Sequence, residues 1–195
     1  MSLISNKNQS IVSSRAKYDA LSFNEWRKVW FCESSGGFIA SHVLKAADDL
    51  SRSGIVAEAN GCWTLAGMGK HVLRLPENIP NLIESVTVEG RPYRELLKTK
   101  RGECKPRGYP DVFFDGQTWD FKETSTDNID TIRQLIKDGK KADNVIFVEA
   151  SNEVIKMILI AMERELGREL KNGTWLELPD LYCLNQRNLF KIWMK

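Results

Sequence analysis

Histidine is scarce in this chain: His42 and His71 are the only two among 195 residues. Neither has a partner at a recognisable catalytic spacing, so a ribonuclease mechanism built on two imidazoles has little to stand on. No stretch approaches the roughly 18 unbroken apolar residues that span a bilayer, and the polar start MSLISNKNQSIVSSR lacks the apolar centre of a secretory signal. A membrane partner is therefore not expected. The four cysteines, Cys32, Cys62, Cys104 and Cys183, form no CxxC pair. That argues against a zinc ribbon or a disulfide scaffold and suits a reducing, cytoplasmic setting. Gly67-Met-Gly69-Lys70 lacks the spacing of a phosphate-binding GxxxxGK(S/T) loop, and its glycines read as a helix stop. No internal repeat is evident.

What is present suits one globular domain. With 42% hydrophobic and 28% charged residues the chain can bury one sizeable core. Residues 1–21, rich in Ser, Asn and Lys, read as a flexible tail before a single domain at 22–195 whose core spans about 55–150. Ser22-Phe-Asn-Glu25 has the spacing of a capping box and predicts a short helix to about Trp30. A strand over Phe38–Val43 and a helical stretch ending near Gly54 follow. A helix over Ile55–Ala66 and a strand over His71–Leu75, stopped by Pro76, come next. Residues 77–107 read as a long basic connection with one helical turn around Tyr93–Lys98. A hairpin, a helix capped by Ser125 or Thr126, a strand at Val145–Val148, a long helix from 152 and two closing strands complete an α/β sheet with helices on its faces.

The net charge of +2 identifies no partner, but its distribution is uneven. Arg91, Arg94, Lys98, Lys100, Arg101, Lys105 and Arg107 stand against only Glu95 and Glu103, immediately before the hairpin. Of these, Arg94, Lys98, Lys100, Arg101, Lys105 and Arg107 are the expected contacts to nucleic-acid phosphates, and the six tryptophans offer stacking surfaces or core. A solvated loop fits the same residues.

The hairpin PDVFFDGQTWDFK carries the strongest signal. Asp115-Gly116 between alternating residues specifies a two-residue type I′ turn, because both turn positions need positive φ. That register pairs Phe114 with Gln117, Phe113 with Thr118, Val112 with Trp119 and Asp111 with Asp120. Asp111, Asp120 and Lys122 then share one face, and Val112, Phe114, Trp119 and Phe121 share the other. Two opposed carboxylates repel. A divalent cation held by oxygen ligands would compensate them, and Lys122 could then orient water or neutralise charge on a phosphate. A solvated strand face in which Lys122 pairs with the acids is the alternative.

Pro110-Asp111, then Asp120-Phe121-Lys122 after eight residues, resembles the PD-(D/E)xK motif of the restriction-endonuclease-like superfamily, within the matching αβββαβ order. The segments EANGCWTLAGMGKHVLRLPEN, PDVFFDGQTWDFKE and TIRQLIKDGKKADNVIFVEAS resemble the C-terminal nuclease domain of contact-dependent growth-inhibition toxins, a family with transfer-RNA-cleaving members. SSGGF at 34–38 resembles a segment preceding the core in related phage-borne and mobile-element proteins. The resemblance implies a restriction-endonuclease-like fold and a Mg²⁺- or Mn²⁺-dependent endonuclease. Asp111, Asp120 and Lys122 would be its catalytic residues and Glu58, Asp111 and Asp120 its metal ligands. It also implies RNA, with tRNA favoured over DNA, as substrate, and an immunity protein as possible partner. At Lys141 related proteins tend to carry Gln, so the resemblance assigns that residue no role. A DNA endonuclease and a non-catalytic, phage-associated nucleic-acid-binding protein remain the alternative functions.

Overall fold

The computed structural model describes residues 3–45, 56–77, 79–99 and 105–194. The expected helix ending near Gly54 lies outside them, as do Lys100, Arg101 and Cys104. Eight strands form one mixed sheet: β1 (Trp26–Phe31), β2 (Phe38–His42), β3 (His71–Arg74), β6 (Val112–Phe114), β7 (Gln117–Lys122), β8 (Asn144–Val148), β9 (Asp180–Asn185) and β10 (Asn188–Trp193), side by side in that order. β2–β3, β7–β8 and β8–β9 pair parallel, and the other neighbours antiparallel. A two-strand ribbon, β4 (Thr87–Val88) with β5 (Arg91–Pro92), leads into the single turn α3 (Tyr93–Leu96) within the connection before the hairpin. Helix α2 (Val56–Gly67) precedes β3, and α4 (Ile129–Asp138) and α5 (Asn152–Asn172) flank β8. The expected α/β class and the order helix, strand, hairpin, helix, strand from Val56 to Val148 are both present.

The sheet is covered on both faces. Cys62, Leu65 and Ala66 of α2 pack on Val72, Val112, Phe114, Trp119, Phe121 and Ile146. On the opposite face α4 and α5 cover Val145, Phe147, Leu181 and Cys183, while a separate cluster around Tyr18, Ile83 and Tyr93 covers Phe38, Leu73 and Phe113. Thr118 pairs with Phe113 and Asp120 with Val145. Because side chains alternate across a strand, Thr118, Asp120 and Lys122 form a polar seam between the two hydrophobic clusters of that face.

Three expectations give way. Residues 1–21 are not a bare tail: α1 spans Leu3–Asp19, with Ser14 and Tyr18 buried. Ile11, Ser14 and Tyr18 recur at i, i+3 and i+7, a stripe too short and too small to raise the helix's apolar periodicity above its serines and lysines. Tyr18 sits 5.2 Å from the Phe38 ring, and Ser14 Oγ lies 2.9 Å from His71 Nε2. Residues 22–30 do not become a helix. The Ser22 carbonyl accepts from the amides of Glu25 and Trp26, one turn that stops there, and Trp26–Phe31 enters the sheet because its aromatic and β-branched residues gain more by pairing with β2. Asn128, rather than Ser125 or Thr126, caps α4, its side chain accepting from the amides of Asp130 and Thr131.

Gly61 lies inside α2, where alanine has an intrinsic advantage of about 1 kcal/mol. A Cβ there would fall 2.2 Å from Cε1 of Phe121, the residue between Asp120 and Lys122. Overpacking costs typically about 1–3 kcal/mol and outweighs the propensity gain. Gly61→Ala is therefore expected to destabilise the protein by up to about 2 kcal/mol, lowering Tm by up to roughly 8 °C in a thermal melt. A raised Tm would show that Phe121 yields freely.

A second polar network joins α4 to α5. Lys140 Nζ lies 2.8 Å from Glu169, Thr174 Oγ1 donates to Glu169 at 2.5 Å, and Arg168 contacts both Glu165 and Glu169. Burial pushes the Glu169 carboxyl up, but the hydrogen bonds from Lys140 and Thr174, with the Lys140 charge, outweigh it and bring its pKa down to about 2 from 4.5. A depressed carboxylate stabilises the fold above its unfolded pKa, and that contribution disappears as pH falls through the folded value. Glu169→Gln should therefore melt below wild type at pH 7, with the Tm gap closing between pH 4.5 and about 2. A gap independent of pH would sink this assignment.

Candidate active site

The hairpin forms in the expected register. Val112 opposes Trp119, Phe113 opposes Thr118, Phe114 opposes Gln117, and Asp115 and Gly116 take φ values of 50° and 77°. The expected fourth pair, Asp111 with Asp120, does not form: the Asp111 amide donates at 3.0 Å to the carbonyl of Trp119, the residue that already opposes Val112, so two residues face one there. The Asp111 side chain then turns back and accepts from the Phe121 amide at 2.8 Å. Asp111, Asp120 and Lys122 thus come together, with Lys122 Nζ 2.7 Å from Asp120 Oδ2.

The charge that offsets the two acids comes from a residue to which the sequence comparison assigned no role. Lys141 Nζ bridges Asp120 Oδ1 at 2.8 Å and Asp111 Oδ1 at 3.2 Å. Gly139 makes this possible: a Cβ on it would meet Val145 Cγ2 at 2.2 Å, so only glycine lets the turn after α4 sit this close to the sheet. Burial, then the Asp111 charge, raise the Asp120 pKa to about 7 against the pull of Lys141 and Lys122. Asp111 moves the other way. Burial raises it, but Lys141, the Phe121 amide and Lys45 together hold it below its ordinary value. The surroundings thus push the two carboxylates in opposite directions, Asp120 toward its neutral form and Asp111 toward its ionised form.

Glu58 reaches the same end of the sheet from the opposite side, in the first turn of α2 beneath the strands. It is buried although it stands at the start of a helix. Its Oε1 lies 2.8 Å from Arg74 Nε and 3.0 Å from Lys45 Nζ. Burial, with a lesser push from Asp111, raises its pKa although Lys45 and Arg74 oppose the shift. Lys45 also pairs with Glu77 at 2.7 Å. Oxygens of Glu58, Glu77 and Asp111 lie within 4.8 Å of one another. The centre therefore contains four carboxylates, Glu58, Glu77, Asp111 and Asp120, balanced by Lys45, Arg74, Lys122 and Lys141, with Asp111 joining the two halves.

This donor set is all oxygen and all carboxylate, the chemistry that Mg²⁺ or Mn²⁺ prefers. The residues fit such an ion, which would share Asp111 and Glu58 with the ammonium groups now paired to them. Glu77, Lys45, Arg74 and Lys141 escaped the sequence reading. Glu77 follows Pro76 at the end of β3, and that strand end beside the hairpin was the only local signal for it.

The basic stretch is less free than its composition suggests. Arg94 pairs with Glu84 at 3.7 Å, Lys98 with Asp143 at 3.2 Å, and Arg107 with Glu177. Lys105 is exposed. Among these, Arg107 faces the same cleft as Lys122 and Lys141.

Comparison of the chain with protein-family models, with curated proteins and with solved structures returns no match. No helix among the described residues is long and apolar enough to cross a membrane.

Proposed function

We propose that this protein is a Mg²⁺- or Mn²⁺-dependent endonuclease that hydrolyses phosphodiester bonds in nucleic acid. The observation that carries the reading is the position of Asp111, a half-buried carboxylate held ionised between Glu58 and Glu77 on one side and Asp120 with Lys122 on the other. Bound there by Glu58 and Asp111, with Glu77 in the same cluster of oxygens and Asp120 on the other side of Asp111, the ion would supply Lewis acidity toward phosphate and acidify water. Lys122 brings an ammonium held against Asp120, suited to orienting water or neutralising charge on the phosphate. Asp120, with a pKa near 7, is able to accept or release a proton at the centre near neutral pH. Arg107 and Lys141 offer charge to the flanking backbone.

RNA, and tRNA in particular, is the favoured substrate through the toxin resemblance alone, and an immunity protein is the partner that follows from it. The setting proposed with these is the cytoplasm, in keeping with the free thiols of Cys32, Cys62 and Cys183. One observation favours a second reading. Each of the four carboxylates is already paired with a lysine or an arginine, as in a nucleic-acid-binding protein that keeps the centre as an ion-pair lattice without turnover. Incubation with tRNA, single-stranded RNA and duplex DNA, in Mg²⁺, Mn²⁺ or EDTA, separates the two. Metal-dependent cleavage of any of them supports the first reading, and binding without cleavage supports the second.

A further inference from the structure

Beside the carboxylate centre lies a cleft of about 370 Å³ lined by Arg107, Lys122, Lys137, Asp138, Lys140 and Lys141. Five of these six are cations, and they arrive from three separate parts of the chain: the loop before β6, the end of β7 and the end of α4. Lys137 lies in the last turn of α4, and Lys140 and Lys141 follow it in the 3-10 turn Gly139–Lys141. Cations in the last turn of a helix offset its dipole, which accounts for some lysine there. It does not account for Arg107 and Lys122 converging on the same space.

The acids that pair with Lys122, Lys140 and Lys141 lie largely behind them, while Glu177, the partner of Arg107, is 27% exposed. Side-chain exposure is 1% for Asp120, 0% for Glu165 and 6% for Glu169. Solvent in the cleft therefore meets ammonium and guanidinium groups already held in place, with Asp138 as the only acid among the described residues of the wall. Among the described residues, no carboxylate is paired with Lys137. Pre-positioned N–H donors with one cation to spare suit a singly charged, oxygen-rich group more than a compact neutral ligand.

We propose that this cleft is a phosphodiester subsite, seating a nucleic-acid backbone phosphate next to the one at Asp111 and Asp120, with Lys137, Lys140 and Arg107 as its donors. This rests on the part of the preceding reading that makes nucleic acid the ligand, and it adds Lys137 and Lys140, which the basic stretch before the hairpin did not include.

The test is metal-free binding of the full chain, in EDTA, to a fluorescein-labelled single-stranded RNA and to DNA of the same sequence, by anisotropy over a series of NaCl concentrations. Both polymers should bind, because the phosphate is common to them. Lys137→Ala should weaken binding about 3–10-fold and reduce the salt slope by about 1, and Lys137→Glu should weaken it more than about tenfold. Lys156→Glu, the same charge change at an exposed position on α5, should stay within about twofold of wild type. Asp138→Asn, which removes the one acid among the described residues of the wall, should tighten binding, an effect that poor folding cannot imitate. Wild type that binds neither polymer overturns the proposal, as does Lys137→Glu matching Lys156→Glu. Lys137-dependent binding with no cleavage in Mg²⁺ or Mn²⁺ defeats the endonuclease reading and leaves the subsite standing. Cleavage by wild type with KM unchanged in Lys137→Glu does the reverse.

Discussion

Asp120→Asn is expected to lose metal-dependent cleavage by about a thousandfold while melting above wild type in EDTA at pH 8. The first half follows from removing a carboxylate ligand. The charge stabilisation that a metal site supplies is worth several kcal/mol, and each tenfold in rate corresponds to about 1.4 kcal/mol. The second half follows from where Asp120 sits. It is fully buried beside ionised Asp111, and the fold favours its neutral form enough to lift its pKa to about 7. A group whose folded pKa is raised binds its proton more tightly in the native state, so stability falls as pH climbs from about 4 to about 7 and stays low above that. An amide imitates the neutral form and removes the penalty. The pairs with Lys122 and Lys141 oppose this gain. Lys141 keeps Asp111, however, and the Lys122 side chain is 15% exposed, enough for its ammonium to find water. Added Mg²⁺ should raise the Tm of wild type by mass action and leave the variant unmoved. Equal Mg²⁺ stabilisation of both proteins would remove Asp120 from the ligand set.

Lys122→Ala should cut turnover by about 10²–10⁴, the range a positioned proton-bearing group contributes, and leave Mg²⁺-induced stabilisation intact. That combination separates Lys122 from the carboxylates, whose loss should abolish both. Lys141→Ala provides the contrast. Lys141 holds Asp111 and Asp120 together at 3.2 Å and 2.8 Å, so its removal exposes their repulsion and should lower Tm in EDTA, with partial recovery in Mg²⁺. Full activity in Lys122→Ala would place that residue in the ion-pair lattice alone and favour the binding-only reading.

The hairpin was legible because its determinants are local. Asp115-Gly116 demands positive φ twice, and a period of two then assigns every side chain from Val112 to Lys122 to a face. Helix α2, β3, β8 and α5 were legible for the same reason: their apolar spacing reports burial directly. The chain start was not. Leu3–Asp19 contributes one narrow stripe, and its helix is fastened by Tyr18 against Phe38 and by Ser14 against His71, contacts made with residues 20 and more than 50 positions away. Trp26–Phe31 went to a strand because β2 was available to pair with it, which no local capping pattern can report.

The same division runs through the site. Asp120 and Lys122 were placed on one face by the sequence alone, since they stand two apart on one strand, whereas Asp111 joins them off the expected register, through the Phe121 amide and Lys141. That Lys141 would bridge them depended on Gly139 admitting a close approach. That Glu58 would join them, with Glu77 and Lys45, depended on which ends of β2, β3 and β7 coincide. Burial in that tertiary setting, not residue type, holds Asp111 charged and pushes Asp120 toward neutrality, because desolvation and neighbouring charge act through space and not along the chain.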